Sequence, residues 1–223
     1  MNRSMNWRSL NTLAQWVVEE SVRVQQIPAP TFHEDQRAAY VGQQFEALGL
    51  EEIQIDAAKN VYGLLKGSNR AVPAVMVAAH TDTVFSAETD LTIRYQDDWI
   101  YGPGLGDNSM GVAGLLGLAR WLHDENFTPE CDIWFVATSC EEGLGDLKGM
   151  RAAYELLKHR IGIVINLEGL AFGHIYHAGI AVHRMHITAE AEGGHSWLHF
   201  GRPSAVHSIM ELGAQISRMS VPT

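Results

Sequence analysis

Cysteine is scarce in this chain: Cys131 and Cys140 are the only two in 223 residues. They lie nine positions apart on one expected strand. That odd spacing puts them on opposite faces and argues against a bridge between them. So sparse a usage argues against a disulfide framework and points to a reducing compartment or to indifference to redox. Long apolar runs are also missing. No stretch approaches about 18 consecutive apolar residues, so nothing reads as a membrane span. The first 20 residues carry polar and charged groups throughout, without the apolar centre of a secretory signal. Basic residues are few as well, 16 Lys and Arg against 26 Asp and Glu, for a net charge of -10. The basic face that a nucleic acid needs is therefore lacking. These absences together predict a cytoplasmic protein with neither membrane nor nucleic acid among its partners.

What is present reads as a folded chain. Hydrophobic residues make up 46% and charged residues 19%, ordinary for a globular protein and unlike a disordered one. Leu10, Leu13, Ala14, Val17, Val18 and Val22 recur at helical spacing and predict a first helix. Pro28 and Pro30 break it. Thr31 precedes Glu34 by three residues, a capping-box pattern that predicts a second helix running to about 48. Short strands follow at 52–55 and 61–65, then two more candidates in a loop before residue 102. Continuous apolar runs at 75–79, 133–138 and 161–167 read as strands covered on both faces. Helical patterns at 109–124 and 147–159 separate them. The alternation predicts a layered α/β domain over residues 1–178 with a largely parallel sheet. Residues 180–190 alternate apolar and polar, and a helix pattern follows from 203 to 219. The stretch 179–223 therefore reads as the opening strand and helix of a smaller α+β domain.

Acidic and imidazole groups gather where the central strands end. His80 and Asp82 close the third strand, Glu141 and Glu142 follow the run at 133–138, and Glu168 follows the run at 161–167. Asp107 sits in a glycine-rich loop ahead of the helix at 109–124. Each piece alone is weak. Glu19-Glu20 and Glu51-Glu52 are adjacent glutamates too, and both read as solvated surface. Glu141-Glu142 could equally serve as a charge pair at a helix N-terminus. Position favours chemistry, because open α/β sheets place their ligands at the carboxyl ends of the strands. Imidazole and carboxylate are ordinary zinc ligands, and a bridging carboxylate can hold two ions. A further carboxylate then serves as general base, and a neighbouring aspartate can fix the tautomer of a ligand histidine.

Five short segments appear in a telling order: His80-Thr81-Asp82-Thr83-Val84, Gly106-Asp107-Asn108-Ser109-Met110-Gly111, Cys140-Glu141-Glu142-Gly143, Asn166-Leu167-Glu168-Gly169 and Gly193-Gly194-His195-Ser196. Over about residues 10–219 the chain resembles the zinc metallopeptidase family of aminoacylases, acetylornithine deacetylase, succinyl-diaminopimelate desuccinylase, peptidase T and glutamate carboxypeptidases. The resemblance implies a three-layer α/β/α zinc-exopeptidase-like domain and the start of a ferredoxin-like lid. It implies two zinc ions, with cobalt or manganese fitting the same ligands. His80 and Glu168 would bind one ion, Asp107 would bridge both, and Glu142 would bind the second. Glu141 would be the general base, and Asp82 would orient His80. His195, otherwise a turn histidine after two glycines, would stabilise the oxyanion. The peptide between Asp107 and Asn108 would be cis. The expected substrates are N-acyl amino acids, dipeptides or peptide ends, and the full-length form would dimerise through the lid.

Nothing in the chain matches the family's last strand and helix, which carry a histidine for the second zinc. The resemblance therefore predicts a truncated chain, weakly active or inactive alone, with an apolar sheet edge exposed. A non-catalytic binding module on the same fold is the alternative, although the base Glu141 would then be an odd survivor. A nucleotide-dependent enzyme is the third class, prompted by Gly102, Gly104 and Gly106. Neither a G-x-G-x-x-G nor a P-loop Lys-Ser/Thr is present to support it.

Overall fold

The computed structural model describes residues 9–169, 173–179, 182 and 184–220. Two compact units divide the chain between His174 and Ile175. The first opens with helices α1 (Ser9–Gln25) and α2 (Asp35–Ala47), followed by strands β1 (Glu51–Ile55), β2 (Val61–Leu65) and β3 (Ala74–His80). A small hairpin of β4 (Arg94–Gln96) and β5 (Trp99–Tyr101) leads to a tight turn at Leu105–Ser109. Helix α3 (Met110–Asp124), strand β6 (Ile133–Thr138), helix α4 (Lys148–Leu157) and strand β7 (Ile161–Asn166) complete the unit.

The main sheet is mixed, in the order β1-β2-β6-β3-β7. Strands β6, β3 and β7 run parallel, whereas β1 and β2 pair antiparallel with each other and β2 pairs antiparallel with β6. The expectation of a largely parallel sheet holds for the central strands. The β1–β2 hairpin adds the antiparallel part, because a short connection can join only antiparallel neighbours.

Period-two alternation splits the buried strand residues between two cores. Val77, Ala79, Phe135 and Ala137 face α2 and α3, meeting Phe45, Val112, Leu115 and Leu116. Met76, Ala78, Trp134 and Val136 face Ala153 and Leu157 of α4. The result is three layers, helix on sheet on helix. Phe45 meets the Phe135 ring edge-on at 6.3 Å, a contact worth about 0.5–1.5 kcal/mol beyond its buried area. The expected cover on both faces is not found for β7: among the described residues only β3 pairs beside it, and its Ile163, Val164 and Ile165 are exposed. Cys131 and Cys140 are both free and flank β6 rather than lying on it.

The Thr31–Glu34 pair is not a capping box. Glu34 is the N-cap residue of α2 but makes no side-chain cap hydrogen bond. Both side chains are committed elsewhere, Thr31 to Asp82 and Glu34 to Cys140. In the second unit, α5 (Ala205–Ser217) starts at Ser204, whose hydroxyl accepts from the His207 N–H at 3.3 Å. The strand expected over 180–190 is not formed among its described residues; residues 180, 181 and 183 lie outside the described part. No described helix is long and apolar enough to cross a membrane.

Candidate metal centre

Because β6, β3 and β7 are parallel neighbours, their carboxyl ends share one edge of the sheet. His80 is the last residue of β3, residues 139–142 follow β6, and Glu168 lies two residues beyond β7. Asp107 reaches the same edge from the turn ahead of α3. Two features hold it there. Asn108 is fully buried, and its amide donates to the Leu167 carbonyl at 2.9 Å while its carbonyl accepts from the Gly111 N–H. Gly169 lets the Gly106 carbonyl come close: a Cβ on residue 169 would lie 1.9 Å from that oxygen. The Asp107–Asn108 peptide is cis.

The expected side chains converge. His80 Nε2 lies 3.0 Å from Asp107 Oδ1 and 3.6 Å from Glu168 Oε2. His80, Asp107 and Glu168 form one group whose ligand atoms lie within 4.8 Å of one another, and His80, Glu141 and Glu142 form a second. Among the described residues, His80 is the only histidine in either group. One imidazole among carboxylates is a donor set that suits a divalent cation. Asp107 and Glu168 stay about half exposed (43% and 45%), leaving the cluster open on one side.

Asp82 lies behind His80, fully buried. Its Oδ1 is 3.5 Å from His80 Nδ1, and its main-chain carbonyl is 3.1 Å from the same nitrogen. The carboxylate also accepts the N–H groups of Glu141 and Glu142, at 2.9 and 3.0 Å, and the Thr31 hydroxyl at 2.9 Å. Asp82 thus ties the imidazole to the glutamate turn. Beneath it, buried Arg37 donates to the carbonyls of Thr81 and Ile27. Burial pulls that guanidinium down to about 10, against the pull of Asp82 in the other direction.

The charges register this crowding. Burial alone would lower the His80 imidazole, but hydrogen bonds with Asp82 and Glu168 override it and raise the group to about 10. Burial would raise Asp82, yet its bonds to His80, to the two glutamate N–H groups and to Thr31 hold it low. Glu141 and Glu142 are both pushed up, first by burial and then by the surrounding carboxylates. In such a site a proton on His80 occupies the place that a cation would take.

His195 belongs to the second unit. It is exposed in the turn after Gly194, and its Nδ1 accepts from the N–H groups of Trp197 and Leu198 at 3.3 and 3.4 Å. Thr31, Glu34, Arg37, Asn60 and Asn108 support the cluster, although the sequence assigns none of them to the site. Asn108 lies inside a recognised segment, and Thr31 and Glu34 share a spacing that suggests a cap. Arg37 and Asn60 carry no sequence signal, since their partners lie 44 and 79 residues away.

Comparison with known proteins agrees with this architecture. The chain is 33% identical over 103 residues to the uncharacterized protein YfbL of Escherichia coli, covering 45% of this chain and 29% of that one. The structure of the aminopeptidase PepT from Bacillus cereus superposes with a TM-score of 0.58 at 23% identity, over 69% of this chain and 43% of that one. A tripeptidase from Staphylococcus aureus gives 0.57 at 24% identity, over 70% and 44%. The chain thus spans less than half the length of these relatives, and the two structures share its metallopeptidase fold. The model of peptidase family M28 matches residues 60–186, which hold the whole cluster from His80 to Glu168. That match covers more than half of the chain, which therefore belongs to peptidase family M28.

Proposed function

We propose that the chain carries the metal centre and general base of a two-zinc exopeptidase or amidohydrolase, acting on a peptide terminus, a dipeptide or an N-acyl amino acid. The observation that carries this reading is the convergence of His80, Asp107 and Glu168, with Glu141 and Glu142 beside them, on one edge of the sheet. His80 and Glu168 would hold one zinc, Asp107 would be shared, and Glu142 would serve the second. Zinc, when bound, supplies Lewis acidity for a water and for the scissile carbonyl.

The chain's own residues supply the rest. Glu141 accepts the proton of the attacking water and delivers it to the leaving nitrogen, so the amine departs neutral. Its raised affinity for protons brings it nearer the range a general base needs. Asp82 keeps the His80 proton on Nδ1, which leaves Nε2 to face Asp107 and Glu168. The resemblance assigns oxyanion stabilisation to His195.

Glu141→Gln separates binding from chemistry. On whichever members of a dipeptide and N-acyl amino acid panel the wild-type chain measurably hydrolyses, the rate should fall by about 100-fold to 10,000-fold, while zinc content by elemental analysis stays at the wild-type level. Activity equal to wild type would remove Glu141 as the base. Loss of zinc together with activity would make it a ligand instead.

A further inference from the structure

The turn that carries Glu141 and Glu142 is templated by side chains. Four consecutive N–H groups each donate to a side-chain oxygen: Ser139 to Asn60 Oδ1 at 3.0 Å, Cys140 to Glu34 Oε1 at 3.1 Å, and Glu141 and Glu142 to Asp82 at 2.9 and 3.0 Å. Asn60 and Asp82 stand beside β2 and β3, whereas Glu34 comes from the loop ahead of α2. Glu34 is fully buried, and its Oε1 also accepts the Cys140 thiol at 3.3 Å and the Phe32 N–H at 2.9 Å. Cys140 is held at φ 50°, the left-handed region that non-glycine residues rarely adopt. The other oxygen, Oε2, has no hydrogen-bond partner among the described residues and lies 3.6 Å from the Lys59 ammonium.

Burying a carboxylate with so loose a counter-ion is expensive. Capping α2 does not explain it, because the side chain makes no cap hydrogen bond. Apart from the local Phe32 N–H, its hydrogen bonds among the described residues are with Cys140, the residue immediately before the two glutamates. We propose that Glu34 is a positioning residue: by holding the N–H and thiol of Cys140 it sets the turn that aims Glu141 and Glu142 at His80. The role rests on the metallopeptidase reading for its purpose but not for its geometry.

The test uses the full chain in two ways. Native-state hydrogen exchange on the metal-free protein reads the turn directly, and zinc titration reads its consequence. In Glu34→Ala, amides 139–142 should exchange about 10-fold faster while those of β3 and β6 keep wild-type protection. Zinc affinity should weaken by about 10-fold to 100-fold, the usual cost of losing a partner behind a metal ligand. Glu34→Gln retains an acceptor oxygen and should restore the protection. Should Glu34→Ala fail to fold, Glu34→Asp withdraws the oxygen by one methylene, keeps the charge beside Lys59, and carries the same expectation as Ala. Wild-type exchange at 139–142 in the folded variant overturns the proposal, as does faster exchange spread evenly over β3 and β6. A wild-type chain that takes up no zinc would sink the metallopeptidase reading instead, and the exchange comparison would still decide the role of Glu34.

Discussion

His80 is the residue on which the charges of the site converge. In the metal-free chain its imidazolium titrates near 10 rather than at the ordinary 6.5. A group raised on folding contributes stability that is fully present below its unfolded value and lost as pH climbs through its folded value. The metal-free protein should therefore lose stability between about pH 6.5 and pH 10. Asp82 runs the opposite way: its low folded value contributes stability above the ordinary carboxylate range, lost as pH falls through that folded value. A bound cation displaces the His80 proton, so the alkaline loss should vanish in the loaded protein. Melting temperatures at pH 6.5 and 9.5, with zinc and with chelator, read this directly. A chelated chain as stable at pH 9.5 as at 6.5 would mean that His80 is not held charged by its neighbours. Much of this site is legible residue by residue, since His80, Asp82, Asp107, Glu141, Glu142 and Glu168 all stand in short ordered segments. Thr31 and Glu34 were not legible. Their spacing is that of a cap, and only partners 51 and 106 residues away show that they brace the site instead.

At the scale of elements, the central strands were readable because each is a largely apolar run, although only β3 and β6 are covered on both faces and β7 is not. Strand order was not readable, and it is the order that brings the ends of β6, β3 and β7 together. The turn at Leu105–Ser109 was equally hidden, because its shape depends on Asn108 reaching Leu167 and on Gly169 admitting Gly106. Strand β7 has a second consequence. Among the described residues it borders only β3 and exposes Ile163, Val164 and Ile165, so apolar side chains accompany backbone groups with no strand partner there. Such an edge invites pairing between copies. The chain is expected to self-associate with rising concentration, and Val164→Lys should reduce this by placing a charge on the edge. Sedimentation velocity checks both, and a wild type that stays monomeric at high concentration would contradict the expectation.

At the scale of the whole molecule, the two units differ in how far sequence patterns describe them. The first unit has a core on each face of its sheet, so hydrophobic period and final structure agree closely. In the second, apolar positions such as Val182, Met185, Ile187, Val206, Ile209 and Met210 are exposed, and alternation alone does not make a strand there. The helical period over 205–217 does form α5, although none of its residues is buried, because a helix closes its hydrogen bonds within itself whereas a strand needs a neighbour. The match to peptidase family M28 over residues 60–186 lies mostly in the first unit, and the acidic cluster around His80 lies wholly in it; the central claim is that this cluster exists to hold metal. Metal content per chain, measured by elemental analysis after zinc loading and dialysis, tests it most directly when wild type and Asp107→Ala are compared. The account predicts zinc on the wild type and its loss from a still-folded Asp107→Ala, because that carboxylate stands closest to His80 Nε2. A folded wild type that retains no zinc, or an Asp107→Ala variant that retains as much as wild type, would contradict it.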